Sequence, residues 1–492
     1  MTMIKFSGGG FLKLLHAFLI LLVHLSPALG FISGAGVGDA NNIRCLEGER
    51  QALLEFKKGL IDDNGMLSSW GSEDKNKNCC NWEGVNCRQT SHVLELHLGA
   101  YQNYGDQLQG MISPSLLALT HLTLLDLNGN NFNQSHIPEF IGSLINLKYL
   151  DLSSANFSGP IPLQLGNLLH LQNLNLDGNN FNQGHILEFI GSLINLKYLD
   201  LSFANFSGPL PFQLGNLLHL RNLNLGGNNF NQGHIPEFIG SLINLKYLDL
   251  SYANFSGTIP LQLENLLHLQ NLYLEGNNLT IIENLKWLSH LSLIKDLDLT
   301  STNLSVANDW LEVLSGLPHL TTLFLGSCNL PPMSLSSLPP FNYSKSFTSL
   351  EILFLSDNQR DIIPKSFGNI CTLRELHLSR NNLNGQLFEL INNLSSGCAK
   401  DSLEVLALSE NQIIGSFPNL AIFPSLKSLF LDDNNINGTV PKSIGNLFNL
   451  EILFVSSNFL HGVISEAHFS NLSKLQYLGL SNNSLTFEFS FN

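Results

Sequence analysis

The stretch Leu147-Lys148-Tyr149-Leu150-Asp151-Leu152-Ser153-Ser154-Ala155-Asn156-Phe157-Ser158-Gly159 decides the fold. Leucines at 147, 150 and 152 alternate with polar residues, the pattern of a short strand with one buried face. The stretch returns from Leu196 and again from Leu245, with related units opening at Leu171 and Leu220 between them. Written as L-x-x-L-x-L-x-x-N, the unit starts at Val93, Leu122, Leu147, Leu171, Leu196, Leu220, Leu245, Leu269, Ile294, Leu320, Leu350, Leu373, Leu403, Leu426, Leu450 and Leu475. Sixteen units over residues 93–492 give a mean period of 25 (400/16), the last unit being incomplete. Most spacings are 23 to 26; the units from Leu320 and Leu373 reach 30 and are expected to carry bulged loops.

One such unit cannot bury its leucines alone, so the units must stack. The predicted fold is an α/β solenoid: a right-handed leucine-rich-repeat superhelix with a parallel β-sheet on its concave face. Sixteen strands at ~4.8 Å each run about 75 Å along the arc. The Asn eight residues after the first Leu can satisfy backbone groups of the buried turn. Asn fills that column at 130, 179, 228, 277, 358, 381, 411, 434, 458 and 483, while Ala155, Ala204 and Ala253 interrupt it in alternate units. Cys328 falls in the same column and is expected to be a buried small residue.

Length alone suggests about three domains, but a solenoid grows without a second core, so one elongated domain replaces them. Only 13% of the residues are charged, against roughly 25% in ordinary globular chains. The 44% hydrophobic content excludes a charge-driven disordered chain. A net charge of −15 argues against nucleic-acid binding and hints at a basic partner.

Lys5 and Lys13, the apolar run Leu14 to Leu25, and Ala28-Leu29-Gly30 read as a secretory signal over residues 1–30. The apolar run is short of the ~20 residues of a membrane span, and no later run in this chain reaches that length. Secretion places the seven cysteines in an oxidising compartment. Cys45, Cys79, Cys80 and Cys87 are spaced to staple a small cap over residues 31–92, and pairing Cys371 with Cys398 would brace one repeat. Zinc binding by the first four lacks paired C-x2-C spacing and His ligands, and no metal or cofactor is expected. In the cap, Glu49 to Lys58 has helical spacing, and Trp70 and Trp82 would cover the first repeat. No cap is legible at the other end, where the sequence stops 18 residues into the sixteenth unit with Phe487, Phe489 and Phe491 still apolar.

Many units continue as in Asn156-Phe157-Ser158-Gly159-Pro160-Ile161-Pro162 and Asn435-Ile436-Asn437-Gly438-Thr439-Val440-Pro441. This resembles the plant-specific class of leucine-rich repeats. Cys79-Cys80-Asn81-Trp82-Glu83-Gly84-Val85-Asn86-Cys87, preceded by Leu67-Ser68-Ser69-Trp70, looks like the plant-type N-terminal cap. Cys371 to Asn411 is similar to plant receptor-like proteins of the fungal-xylanase-receptor group. The resemblance implies the pairs Cys45–Cys79, Cys80–Cys87 and Cys371–Cys398. It also implies a longer protein with further repeats, an island, a C-terminal cap, one membrane helix and a short tail without a kinase. A co-receptor kinase is a partner only if those parts exist.

No enzyme constellation is present: G-x-S-x-G, H-E-x-x-H, a P-loop and a zinc quartet are lacking. His121, His170, His219 and His268 recur before a core Leu as a solvated edge column. Asp126, Asp151, Asp200, Asp249 and Asp298 are expected on exposed strand positions, about 10 Å apart across alternate strands. That is too far for an acid/base pair. Residues 147–195 and 196–244 are near-identical and differ at six positions: Ser154/Phe203, Ile161/Leu210, Leu163/Phe212, Gln172/Arg221, Asp177/Gly226 and Leu187/Pro236. Three of the six fall on the strand face, and the third copy adds Tyr252, Gln270, Tyr273 and Glu275 there. Drift on a tolerant surface is the bland reading. The sharper one is a diversified ligand face made of Ser154, Asp177, Phe203, Arg221, Tyr252, Gln270, Tyr273 and Glu275, because aromatic and Arg gains make binding anchors.

N-x-S/T sequons occur at Asn133, Asn156, Asn205, Asn254, Asn278, Asn303, Asn342, Asn393, Asn437, Asn471 and Asn482 and mark glycosylation acceptors in a secreted chain. The resemblance implies the ligand-recognition ectodomain of a plant receptor-like protein in defence, binding a protein or peptide on its concave face. It would lie at the outer side of the plasma membrane if anchored, otherwise in the apoplast. The alternatives are a soluble inhibitor of a microbial cell-wall-degrading enzyme, similar to polygalacturonase-inhibiting proteins, or a decoy or truncated receptor.

Overall fold

The computed structural model describes residues 44–71, 77–88, 91–100, 107–182, 184–230, 233–281, 283–331, 347–359 and 363–488. The expected signal segment 1–30, the sequon at Asn342, and Phe489 and Phe491 lie outside them.

From Cys45 onward the chain is one compact unit. Its spine is a ladder of three-residue parallel strands running from Glu95–His97 to Tyr477–Gly479. Each strand pairs with the next so that middle leucines align, Leu125 on Leu150, Leu150 on Leu174, and onward to Leu453 on Leu478. Sixteen such strands are present among the described residues, each beginning two residues after the start of a unit. Parallel pairing follows because every unit returns by the same path. The return carries short 3-10 turns such as Leu163–Asn167 and Phe212–Asn216, entered through Pro162 and Pro211, whose fixed φ suits the first turn position. The core lies between strand and return: Leu147, Leu150, Leu152 and Leu165 are fully buried.

Two ladders run beside the leucine core. The first is a spine of stacked phenylalanines, Phe132 on Phe157 and Phe181 on Phe206 at 5.1 Å and Phe230 on Phe255 at 5.6 Å between ring centroids. The second is the Asn column. Asn179 Nδ2 donates to the carbonyls of Leu152 and Leu176 at 2.8 and 2.9 Å, while its Oδ1 accepts from Phe157 N–H at 2.9 Å. One amide thus serves the turn of its own unit and that of the preceding unit. This explains why Ala155, Ala204 and Ala253 are tolerated: the next unit's Asn already caps their turns. Cys328 is fully buried and donates its thiol to the carbonyls of Leu299 and Gly326 at 3.1 and 3.3 Å, standing in for the amide. Burial pushes this thiol's pKa well up, so it stays protonated.

The plant-type motif after the Asn column builds a second sheet. Ile414–Ser416, Asn435–Gly438, Phe459–Ser465 and Ser484–Glu488 pair in parallel. At the N-terminal end, helix α1 (Glu47–Lys58) buries Ala52, Leu53 and Phe56. Trp70 and Trp82 stack at 5.4 Å beside it, and Trp70 Nε1 donates to Glu83 O at 2.9 Å. Cys45–Cys79 and Cys80–Cys87 are bonded, as are Cys371 and Cys398. Val85–Asn86 pairs antiparallel with the first ladder strand and so covers its open edge. At the opposite end Leu478 is 41% exposed, whereas Leu453 one unit earlier is fully buried. Among the described residues, no helix is long and apolar enough to cross a membrane.

Candidate ligand-binding face

The structure corrects the reading of the Asp column. Asp126, Asp151, Asp200 and Asp298 are 1 to 4% exposed, and Asp249 is half-buried. Each carboxylate turns back along the chain and accepts the backbone N–H two residues on. Those donors are Asn128, Ser153, Ser202, Ser251 and Thr300, at 2.8 to 3.1 Å. This is the Asx arrangement that bends a chain out of a strand. The hydroxyls of Tyr149, Tyr198 and Tyr247 donate to Asp151, Asp200 and Asp249 at 3.0 to 3.2 Å. The column therefore holds the strand-to-turn bend. Burial, followed by the negative charge of the partner carboxylates Asp200 and Asp249, raises the pKa of Tyr198 and Tyr247 far beyond the ordinary phenol range.

The diversified positions lie along the two edges of the sheet. Ser154, Phe203 and Tyr252 sit three residues past their strands, in left-handed backbone with φ of 49°, 46° and 51°. That conformation costs a side-chain-bearing residue about 1–2 kcal/mol. Phe203 is nevertheless 63% exposed and Tyr252 51% exposed. Their rings lie on a glycine of the following unit. A Cβ on Gly227 would come within 2.4 Å of the Phe203 ring, and one on Gly276 within 2.4 Å of Tyr252. Both glycines have positive φ, so the ring and the glycine form a matched pair.

Along this edge the side chains connect. Ser202 Oγ donates to Asp177 at 2.8 Å, and Tyr252 Oη donates to Glu275 at 2.5 Å. Ser154, Asp177, Phe203, Tyr252 and Glu275 form one strip across neighbouring units. Arg221, exposed, and Gln270, half-buried, stand at the opposite edge, each one residue before its strand. Tyr273 is central, half-buried, with its ring 5.5 Å from Tyr247. The eight residues thus share a face without converging on one point.

Sequence reasoning missed the far half of that face. From Phe324 onward the Asp column becomes mostly aromatic: Phe324, Phe354, His377, Phe430 and Phe454 occupy the same strand position, with Ala407 between His377 and Phe430 and Gly479 at the end. Phe324 lies 5.7 Å from Phe354, which lies 5.0 Å from His377, and Phe430 meets Phe454 edge-on at 5.6 Å. The signal was present in Leu323-Phe324-Leu325 and Leu429-Phe430-Leu431, where the residue between two core leucines faces outward. His170, His219 and His268 are exposed, as is His121. Of the described sequons, Asn156 and Asn393 are half-buried and the others exposed.

These features define a leucine-rich-repeat solenoid with a capped N-terminal end and a long parallel sheet. Family descriptions match accordingly. The leucine rich repeat N-terminal domain matches residues 46–88, a leucine-rich repeat region 174–338 and further leucine rich repeats 424–485. Single repeats match at 121–144, 146–168, 349–370 and 372–394. The chain is 47% identical over 150 residues to receptor-like protein EIX2 of Solanum lycopersicum and 49% identical over 142 residues to EIX1. These matches cover 29% and 27% of this chain and 14% of each relative. The chain belongs to the leucine-rich-repeat proteins and is similar to plant receptor-like proteins over the matched stretch. Among solved structures, it resembles the ectodomain of the Arabidopsis thaliana receptor kinase GASSHO1/SCHENGEN3 in complex with CASPARIAN STRIP INTEGRITY FACTOR 2. That match has a TM-score of 0.67 and 28% identity, and covers 88% of this chain and 56% of the other. A TDR receptor matches with TM-score 0.63 and 33% identity over 77% of this chain and 62% of the other.

Proposed function

We propose that this chain is the ligand-recognition part of a cell-surface receptor-like protein in plant defence. Its sheet face would capture a microbial protein or peptide without covalent chemistry. The observation that carries this reading is the pair Phe203 and Tyr252: large, exposed aromatic rings seated on glycines of the next repeat, at a turn position that is left-handed in every unit from the second on and that elsewhere carries Gly or a polar residue. Fixed aromatic rings make binding anchors at little entropic cost. The similar GASSHO1/SCHENGEN3 ectodomain was solved in complex with a named factor, which supports ligand capture as the role. The secretory pathway delivers the chain to the cell surface in this reading, and the exposed sequons carry glycans.

The test is capture of microbial secreted proteins, a fungal xylanase among them, by the immobilised chain. Changing Phe203, Arg221, Tyr252 and Tyr273 together to Ala should weaken capture by at least ~30-fold, since losing one hot-spot residue costs about 2 kcal/mol. The Phe212→Ala variant, on the return side, should capture as the parent does. Equal capture by the fourfold variant would overturn the reading.

A further inference from the structure

Glu49, His92 and His121 come from three separate elements: α1, the residue before the first unit, and the turn leading into the second unit. Their ligand atoms, one per residue, all lie within 4.8 Å of one another, and no other group of three is so placed among the described residues. Glu49 is 5% exposed, unusual for a carboxylate. One of its oxygens accepts from Val93 N–H at 2.7 Å, and the other lies 3.0 Å from His92 Nδ1. The His92 and His121 rings stack with centroids 3.7 Å apart, at 27° between planes. Thr120 Oγ1 lies 3.1 Å from His121 Nδ1.

We infer that Glu49, His92 and His121 form a zinc site that clips the N-terminal cap to the first two repeats. Two imidazoles and a carboxylate are the donor set of a borderline divalent cation with a position left for water. Bonds of ~2.0–2.2 Å put tetrahedral ligands about 3.5 Å apart, so the donor atoms are within reach, and the stack of the two rings opens on binding to let their in-plane lone pairs converge. The Val93 N–H fixes the carboxylate from behind, as outer partners of metal ligands do. His170, His219 and His268 occupy the equivalent column without a buried carboxylate beside them, which makes them internal controls.

The test uses tag-free secreted protein, stripped with chelator and titrated with zinc chloride by calorimetry, with thermal unfolding read in parallel. The parent should take up one zinc per chain and unfold at a higher temperature with it. His121 is exposed, so His121→Ala will fold, and it should lose zinc affinity by more than the ~10–100-fold typical of losing an outer-shell partner. Glu49→Gln should lose it too, and His170→Ala should bind as the parent does. Absence of stoichiometric zinc uptake by the parent, or uptake retained in His121→Ala, would refute the site; Glu49 and His92 would then be a structural hydrogen-bonded pair alone.

Discussion

The Asn column makes a differential prediction. In the stretch where Asn alternates with Ala, Asn228 alone supplies the side-chain donor to the carbonyls of Leu201 and Leu225, at 2.8 and 2.9 Å. Its Oδ1 also accepts from the buried Phe206 N–H at 2.9 Å. In the stretch where every unit has Asn, the donors overlap. Leu355 O takes both Asn358 and Asn381 at 3.1 Å, and Leu378 O takes Asn381 and Asn411 at 2.9 and 3.0 Å. Asn381→Ala therefore strands one group, the Asn358 N–H that donates to it at 3.1 Å. Asn228→Ala strands an N–H and two carbonyls. With roughly 1–3 kcal/mol for a stranded buried N–H and about 1 kcal/mol for each carbonyl, Asn228→Ala should cost about 3–5 kcal/mol and Asn381→Ala about 1–3. The measurement is the urea midpoint by far-UV circular dichroism, converted with each variant's own slope. Hydrogen exchange at the Phe206 and Asn358 amides would confirm where protection is lost. Equal losses within ~0.5 kcal/mol, or a larger loss in Asn381→Ala, would refute the sharing of one amide between two turns.

Three further outcomes follow from individual side chains. Thr302 fills an Asn-column position fully buried, and its hydroxyl has no partner; Thr302→Val should leave stability unchanged or raise it by up to ~1 kcal/mol in urea unfolding. Gly227→Ala would push the Phe203 ring off its seat and should cost about 1–2 kcal/mol through its positive φ, with near-ultraviolet dichroism reporting the displaced ring. Burial holds Asp249 above the ordinary carboxylate range, with Asp200 adding to the effect. A folded pKa above the unfolded one contributes stability below the unfolded value near ~4 that is lost as pH rises through the folded value. Asp249→Asn should therefore gain stability relative to the parent as pH rises from 4.5 to 7.5, read as the difference in melting temperature.

Much of this molecule is local, and local features are legible in a sequence. The period-two leucines, the Asn column and the Pro-initiated return repeat in each unit. A side chain's fate in such a unit is therefore set by its place in the unit, and Cys328 could be assigned to the core by column alone. The Asp column was misread because its exposure depends on what a carboxylate does with the next turn. Asp151 and Ser153 are two residues apart, yet only the folded bend brings the carboxylate back onto that amide and beneath the Tyr149 hydroxyl.

The amino-acid sequence by itself determined the solenoid, its parallel sheet and which leucines line the core, because short-range periodicity dictates which residues are buried together. Only the tertiary structure decided how the outer side of the sheet is divided. Stacking set Phe203 and Tyr252 on the glycines of the next unit, placed Arg221 at the opposite edge, and gathered Phe324, Phe354 and His377 into one aromatic run. It also brought Glu49 to His92 and His121. Contacts between successive repeats depend on the register of one repeat on the next, and that register exists only once the repeats have stacked.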